Sequence, residues 1–421
     1  MLKLLSIFTV IAFFLILLID IYISISDIEQ IKLEISPIIR LSQNKIGKIE
    51  INIEQNSEKE LNLKFALALP CEFANEHNII HLKLKKSKKK YRFNWLTKCD
   101  KRGRYQIEYF FIGLSSKWKL WDFRRKSKIN VEIRVYPDLS VSRKELATFF
   151  LKRGISGVHR QQQMGKGREF EKLRDYLPGD SYEDIHWKAT AKRQKPITKI
   201  FQIERTQEIY LIIDTARSSG KPLPNELPES KTESIILEKY INSALLMALT
   251  IQKQHDAFGL ITFSDKVDRF IKAKAGNSSF KLCRDALFSI KTQKTNPNFE
   301  ELFTFIRTNV KKRALLIFFT DLEEKVIWEK FHEKIDLISR KHFVIVNMLK
   351  TKDSNVIFSN EKIEDLNDIY YELENHLHWY NLVEAKKNLK VKGVQMNLIE
   401  SRNYTSETIM TYLNAKQRQI L

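Results

Sequence analysis

The sequence predicts a fold of class α/β plus β, in which an N-terminal membrane helix precedes an antiparallel β-sandwich and a doubly wound α/β domain. Three observations predict this order. The first residues form a long apolar run, the next hundred alternate apolar with polar residues, and the chain after Tyr210 alternates apolar runs with helical stretches. With 421 residues the chain is long enough for two compact domains and a membrane segment.

The membrane helix is predicted over residues 1–26. Residues 4–19 are uncharged and almost wholly apolar, and the apolar character continues to Ile25. About 20 apolar residues span a bilayer. A cleaved signal peptide is the alternative, but the run is long for one, and Ser24-Ile25-Ser26 is a poor match to a small-residue cleavage site. We therefore expect a retained, single-pass anchor, whose orientation the flanking basic residues leave open.

A β-sandwich is predicted over residues 27–138, because short runs with period-two alternation recur about every ten residues. Tyr91, Phe93 and Trp95 lie in a basic stretch, where aromatic side chains could stack on single-stranded nucleic acid. Their period-two spacing favours the core face of a strand instead. The seven runs are IKLEIS, KIEINIEQ, LNLKFALAL, IIHLKL, YRFNWL, RYQIEYFFI and INVEIRVYP.

An α/β domain is predicted over residues 208–421. Five apolar runs, beginning with YLIID and including ALLIFFTD, are separated by helical stretches, which predicts a parallel sheet with helices on both faces. Such sheets bind ligands at the carboxyl ends of their strands. The polar residues at those ends are Asp214, Thr215 and Ser218 after the first run, and Asp321 after the run ALLIFFT.

The segment between these domains, residues 139–207, carries the densest cluster of opposite charges. We predict that its charged residues form a fixed hydrogen-bonded network with Trp187 as the apolar anchor, and that this network holds the two domains together. The alternative is a solvated helix with weak surface pairs. The residues predicted to form the network are Arg168, Glu169, Arg174, Asp180, Trp187 and Lys188.

This segment resembles a known family. The pattern GREFxxLRxYxPGDxxxxIxWK, from Gly167 to Lys188, is similar to the signature of bacterial proteins grouped as domain of unknown function 58. KRGRY at residues 101–105 and YPDL at residues 136–139 also match elements of that family. The resemblance implies a membrane segment, a β-domain and a C-terminal von Willebrand factor A-like domain, with the soluble domains in the cytoplasm. It also implies a MoxR-type AAA+ ATPase as partner.

The resemblance implies a metal site as well. In von Willebrand A domains a metal-ion-dependent adhesion site uses DxSxS on the first loop and a later aspartate. The first loop here is DTARS, so Asp214 and Ser218 match, Asp321 supplies the later aspartate, and Ala216 replaces the middle serine. These residues imply a degenerate Mg²⁺ site that lacks one ligand. The alternative is that Asp214 caps the following turn and Asp321 is a polar residue at a strand end.

Motifs for catalysis are missing from the sequence, which predicts that the protein is not an enzyme. The chain contains no GxxxxGK[ST] loop for nucleotide hydrolysis, no HExxH for zinc hydrolysis and no GxSxG elbow. Its three cysteines, Cys71, Cys99 and Cys283, have no CxxC spacing, so neither a disulfide framework nor a thiolate zinc site is indicated.

Two functions remain open. The first is a membrane-anchored interaction or scaffold protein of the cell membrane, working with a MoxR-type AAA+ ATPase in client assembly or cell-envelope processes. The alternative is a basic anion-binding module that acts on nucleic acid or on an anionic membrane surface, since the net charge is +21. We favour the first function, and we therefore expect no specific nucleic-acid partner.

Overall fold

The computed structural model divides the chain into two compact units. The first comprises Met1–Asp138 and Asp285–Ile290, and the second comprises Leu139–Arg284 and Lys291–Leu421. The structure describes residues 2–55, 60–75, 79–85, 89–116, 120–140, 143–144, 147–148, 164–202, 207–223, 235–350 and 366–417.

The first unit begins with helix α1 (Leu2–Glu29). Among the residues that the structure describes, no helix combines the length and the apolar composition needed to cross a membrane. The end of α1 is attached to the β part of the unit: Ile28 is buried in its core, and Arg125 donates a hydrogen bond to the Ile28 carbonyl at 3.0 Å.

Two sheets form the body of the first unit. Its described strands are β1 (Ile31–Ile35), β2 (Ile38–Ser42), β3 (Ile46–Gln55), β4 (Leu61–Leu67), β5 (Phe73–Asn75), β6 (Ile80–Leu84), β7 (Lys90–Cys99), β8 (Gly103–Ser115) and β9 (Asp122–Tyr136). One sheet has the order β1-β3-β7-β5 and the other β2-β9-β8-β4-β6. All of these pairings are antiparallel except β2 with β9, which is parallel.

The core of the first unit explains the period-two runs. Burial alternates along β4, and the apolar side chains of both sheets form one cluster. Trp95 is fully buried, and its ring lies 5.8 Å from that of Phe65, which also contacts Phe93 at 5.3 Å. Tyr91 packs against the same cluster. The prediction that these aromatic side chains serve the core is therefore confirmed.

The second unit contains a six-stranded sheet and a separate two-stranded pair. Its described strands are β10 (Met164–Asp175), β11 (Ile197–Gln202), β12 (Glu208–Asp214), β13 (Ala257–Phe263), β14 (Val267–Lys274), β15 (Ala314–Phe319), β16 (Phe343–Leu349) and β17 (Val394–Ile399). The described helices are α2 (Trp187–Arg193), α3 (Ile236–Lys253), α4 (Asn277–Leu287), α5 (Phe299–Asn309), α6 (Lys325–Lys334), α7 (Asp336–Ser339), α8 (Leu366–Val391) and α9 (Tyr404–Gln417). The last residues of α4, from Asp285, belong to the first unit.

Helices cover both faces of the six-stranded sheet. On one face Tyr240 of α3 and Tyr404 of α9 pack together and contact Phe319 of β15. On the other face the neighbouring residue Phe318 contacts Phe303 of α5 and a phenylalanine of α6. Because successive strand residues point to opposite faces, β12, β13 and β15 are apolar at nearly every position.

The strand order of the sheet determines which strands end next to each other. It runs β14-β13-β12-β15-β16-β17, and every neighbouring pair is parallel except β13 with β14. The chain therefore leaves β12 in one direction toward β13 and later returns to its other side as β15. A reversal of this kind opens a crevice at the carboxyl ends of the strands, where ligands bind in open α/β sheets.

In the first unit, a buried arginine binds the segment Asp285–Ile290. Arg102, within the KRGRY sequence, donates hydrogen bonds to the carbonyl oxygens of Leu287, Phe288 and Ile290 at 3.0, 3.1 and 2.7 Å. Leu287 ends α4, and the last carbonyl groups of a helix have no partner within the helix. The guanidinium gives the Leu287 carbonyl a charged donor beside the Ile290 backbone N–H, which donates to it at 3.4 Å. Phe288 packs on Tyr136 at 5.1 Å.

Replacing Arg102 by methionine should destabilise the first unit by roughly 2–4 kcal/mol, since it leaves buried carbonyl oxygens without their charged donor. The measurement is thermal or urea unfolding of the purified full chain. Arg104→Met is the matched control, because Arg104 is 62% exposed and pairs with the Glu132 carboxylate at 3.0 Å. Equal unfolding midpoints for the two variants would contradict the role assigned to Arg102.

Candidate functional site

The candidate site lies where β12 and β15 end side by side. Ile213 pairs with Phe319 in the sheet, so the residues that follow them, Asp214 and Thr320, lie side by side where the two strands end. The Thr320 hydroxyl donates a hydrogen bond to Asp214 Oδ2 at 2.7 Å. Asp321 follows directly. The parallel register thus brings the two sequence-predicted aspartates to the same edge.

Asp214 is fully buried, and protein groups satisfy its carboxylate. Oδ1 accepts a hydrogen bond from the Ala216 backbone N–H at 2.8 Å, and the Ser218 hydroxyl lies 3.5 Å from Oδ2. The Ser219 hydroxyl binds the Asp214 carbonyl at 2.7 Å. Burial raises the pKa of Asp214 to about 7, although these donors oppose the shift in part.

Asp321 is neutralised by a lysine that sequence reasoning did not select. The Lys221 ammonium lies 3.0 Å from Asp321 Oδ2 and 3.2 Å from the Glu323 carboxylate. The Glu323 backbone N–H donates to Asp321 Oδ1 at 3.0 Å. His378 of α8 completes the group, with its Nε2 2.6 Å from Glu323 Oε1. We call Lys221, Asp321, Glu323 and His378 the lysine cluster.

The lysine cluster favours the charged forms of Lys221 and His378. Burial alone would lower the pKa of Lys221, but the charges of Asp321 and Glu323 outweigh it and raise that pKa above its ordinary value. The hydrogen bond to Glu323 raises the pKa of His378. Ion pairing within the lysine cluster therefore stabilises the ammonium form of Lys221 at neutral pH.

The first loop is attached to the neighbouring loop at the same edge. The Arg217 backbone N–H donates to the Thr295 carbonyl at 2.9 Å, and the Arg217 guanidinium lies 3.3 Å from Glu324. The Thr295 hydroxyl is buried, and no described residue hydrogen-bonds to it. Arg217 and Glu324 are the more exposed members of this edge, so they present charge of both signs to solvent.

The residues present do not fit the Mg²⁺ ion implied by Asp214, Ser218 and Asp321. Mg²⁺ needs near-octahedral oxygen ligation, but the Asp321 carboxylate already accepts the Lys221 ammonium at 3.0 Å, and both Asp214 oxygens already accept protein donors. Moreover, two unit positive charges about 4 Å apart repel by roughly 4 kcal/mol near a protein surface. A divalent ion sharing Asp321 with Lys221 would be repelled by about twice that amount.

Sequence reasoning missed six residues of the site: Arg217, Lys221, Thr320, Glu323, Glu324 and His378. A signal for Thr320 and Glu323 existed, because both lie within two residues of Asp321 at the end of a strand. No local signal marks Lys221 or His378. His378 lies 55 residues from Glu323 along the chain, on a helix that the sequence did not predict.

The charged segment forms a smaller network than predicted. Arg174 Nη2 lies 2.7 Å from Asp180 Oδ1, while Asp180 Oδ2 accepts hydrogen bonds from the Leu177 backbone N–H at 3.0 Å and the Thr198 hydroxyl at 3.3 Å. The carboxylate thus ties the Pro178-Gly179 turn to β10 and β11. The Leu177 hydrogen bond first, and then the Arg174 charge, hold the pKa of Asp180 below its ordinary value.

Two of the residues predicted to form the network are exposed to solvent. Trp187 is 69% exposed at the first position of α2 and is not the apolar anchor, while Lys188 beside it is also exposed. Both side chains follow His186, which caps α2 by accepting a hydrogen bond from the Ala189 backbone N–H at Nδ1. None of the seven residues of α2 is buried, so this helix does not pack an apolar side chain into a core. The side chains of Arg168 and Glu169 lie outside the described residues.

A family described as Protein of unknown function DUF58 matches residues 172–363 of the chain. This range begins within the charged segment and includes the ends of β12 and β15, but not His378 of the lysine cluster. No protein in a search of curated sequences matches the chain.

Solved structures resemble parts of the chain only distantly. Conserved hypothetical protein BatB from Bacteroides thetaiotaomicron has 13% identity over 51% of this chain and 99% of its own, with a TM-score of 0.30. A chain from the complex of zinc 2-glycoprotein with prolactin inducible protein from human seminal plasma has 10% identity over 25% of this chain and 92% of its own, with a TM-score of 0.19. WR4, an MSP family member from C. elegans, has 12% identity over 25% of this chain and 97% of its own, with a TM-score of 0.18.

Asp180→Asn should lower the melting temperature of the second unit, because the amide loses the charge that holds Arg174 and places an N–H₂ group where an acceptor is needed. The matched control is Lys188→Ala, which removes an exposed charge of the same segment and should leave the melting temperature unchanged. Differential scanning calorimetry of the full chain measures both. A melting temperature that falls in Lys188→Ala but not in Asp180→Asn would show that the network was assigned to the wrong residues.

Proposed function

We propose that this chain is a membrane-anchored, non-enzymatic interaction protein that presents the edge formed by β12 and β15 to a protein partner. The observation that carries the proposal is the charge arrangement at this edge. Lys221 is paired with Asp321 and Glu323, and Arg217 is paired with Glu324 beside them. Charges that are already paired and hydrogen-bonded form a fixed pattern for recognition rather than a poised nucleophile and base.

The fold of the second unit supports a von Willebrand A-like assignment within this proposal. Its sheet carries Asp214 at the end of β12 and Asp321 after β15, and the resemblance implies two aspartates on loops of this kind. In that assignment the edge is the surface that contacts the partner. A MoxR-type AAA+ ATPase is the partner we propose, and it would supply the ATP hydrolysis for client assembly or cell-envelope processes.

The membrane anchor is the apolar sequence of residues 1–26, and we propose that both units lie on the cytoplasmic side. The support for this proposal is the sequence, in which residues 4–19 are uncharged and almost wholly apolar. Tethering would keep the edge at a high effective concentration near a membrane-associated client, which raises apparent affinity without new contacts.

Co-purification from native membranes tests the proposal. The tagged full chain should enrich an AAA+ ATPase, and Arg217→Glu should reduce that enrichment at least tenfold, because it reverses an exposed charge of the edge. Arg217 is 62% exposed, so this substitution should change folding stability little.

Arg104→Glu is the matched control, because Arg104 is equally exposed and also pairs with a glutamate, but lies in the first unit. It should retain the ATPase. Mass spectrometry that finds no ATPase with the unaltered chain would contradict the proposed partner, and equal enrichment by both variants would contradict the proposed surface.

One observation favours the alternative function, an anion-binding module. Arg124, Lys126 and Lys128 alternate along the exposed side of β9 and form a basic stripe. The stripe begins beside Arg125, which binds the end of α1. If α1 is the membrane anchor, these charges lie close to lipid headgroups, where each basic residue contributes about 1 kcal/mol of attraction to an anionic surface.

Salt dependence distinguishes this alternative. If the stripe binds phosphates, fluorescence anisotropy with a labelled single-stranded oligonucleotide should show affinity falling steeply between about 50 and 200 mM salt. Replacing the three stripe residues by glutamine should reduce the slope by roughly 0.7 for each phosphate that the variant no longer neutralises. The control replaces Lys311, Lys312 and Lys325, which are also exposed. Identical slopes for the two triple variants would rule out the stripe.

A further inference from the structure

The backbone around Lys221 fixes the lysine at the edge of the sheet. After Asp214 the chain forms a short 3-10 turn over Arg217–Gly220. The Lys221 backbone N–H donates to the Ser218 carbonyl at 3.3 Å, and its carbonyl accepts from the Ile236 N–H at 3.0 Å. The Ser219 hydroxyl ties the same turn to the Asp214 carbonyl. The start of the lysine side chain is therefore held from both sides.

Every carboxylate oxygen of the two aspartates already has a protein donor. For Asp214 the donors are the Ala216 N–H and the Thr320 hydroxyl. For Asp321 they are the Glu323 N–H and the Lys221 ammonium. A divalent ion would have to share or displace these donors, one of which is itself a cation.

We propose that the Lys221 ammonium is the permanent cation of this site and replaces the divalent ion that Asp214, Ser218 and Asp321 would otherwise hold. The ammonium then balances the charge of the Asp321 and Glu323 carboxylates without a metal ion. The inference concerns the cation alone and does not depend on the identity of the partner.

The replacement accounts for Ala216. An ammonium is held by hydrogen bonds to two carboxylates, whereas Mg²⁺ needs further oxygen ligands. With Lys221 in place, a hydroxyl at position 216 has no cation to bind. Ala216 is fully buried, where an unpartnered hydroxyl would be unfavourable.

Removing the lysine should open the site to metal. Lys221→Met deletes the charge at similar length, leaves Asp321 without its ammonium partner while Glu323 keeps His378, and should lower the melting temperature by roughly 5–10 °C in metal-free buffer. Millimolar Mg²⁺ or Mn²⁺ should restore part of that stability by binding the freed Asp321 carboxylate. The unaltered full chain should show no shift with either ion.

Two variants serve as controls. Lys221→Arg keeps a positive charge and should remain insensitive to metal. Lys325→Met removes a lysine that is 86% exposed and pairs with Glu329 at 4.0 Å, so it should change neither stability nor metal response.

A melting temperature of the unaltered chain that rises with Mg²⁺, and no longer does so in Asp214→Ala, would overturn the proposal. So would a Lys221→Met variant that folds with normal stability and ignores metal. If Lys221→Met does not accumulate as folded protein, electron paramagnetic resonance of Mn²⁺ with the unaltered chain decides: a bound-ion signal overturns the proposal, and the signal of the free aqueous ion supports it. None of these results depends on an ATPase, so failure here is distinguishable from failure of the proposed function.

Discussion

The pairing of β12 with β15 is the constraint on which the candidate site depends. These strands are separated by about a hundred residues but lie side by side in parallel, with Ile213 level with Phe319. Parallel neighbours end at the same edge, so the polar residues that follow them meet there. Thr320 can bind Asp214 only in this register, since a slip of one residue would turn its hydroxyl to the opposite face.

Burial of acidic groups at this edge creates an energetic problem that the fold solves in two ways. Asp214 is sealed among neutral donors, and burial brings its pKa to about 7. Asp321 is paired with a lysine. Both solutions use groups of the protein itself, so the edge is a closed set of interactions. A closed set is preorganised, which would lower the cost of binding the partner proposed above.

The motifs of the first unit and of the charged segment act through backbone carbonyls and turns. Arg102 of KRGRY supplies donors to the end of α4, and Asp180 ties the Pro178-Gly179 turn to β10 and β11. In each case a charged side chain satisfies backbone or hydroxyl groups that local structure leaves unpaired. Dense charge in a sequence can therefore indicate structural hydrogen bonding as readily as binding to an external ligand.

Periodicity and strand-end chemistry were visible in the sequence by itself. The alternating runs predicted the paired strands around Trp95, and the apolar runs after Tyr210 predicted the sheet with Asp214 and Asp321 at its carboxyl edge. These features are local, because side-chain period and strand length depend on neighbouring residues. Only the tertiary structure decided that Lys221 and His378 join those aspartates, that Trp187 is exposed, and that the residues after α4 belong with Arg102. Each of these facts depends on the partner that a charge or ring meets across the fold, and a contact between distant residues leaves no pattern in the sequence around either one.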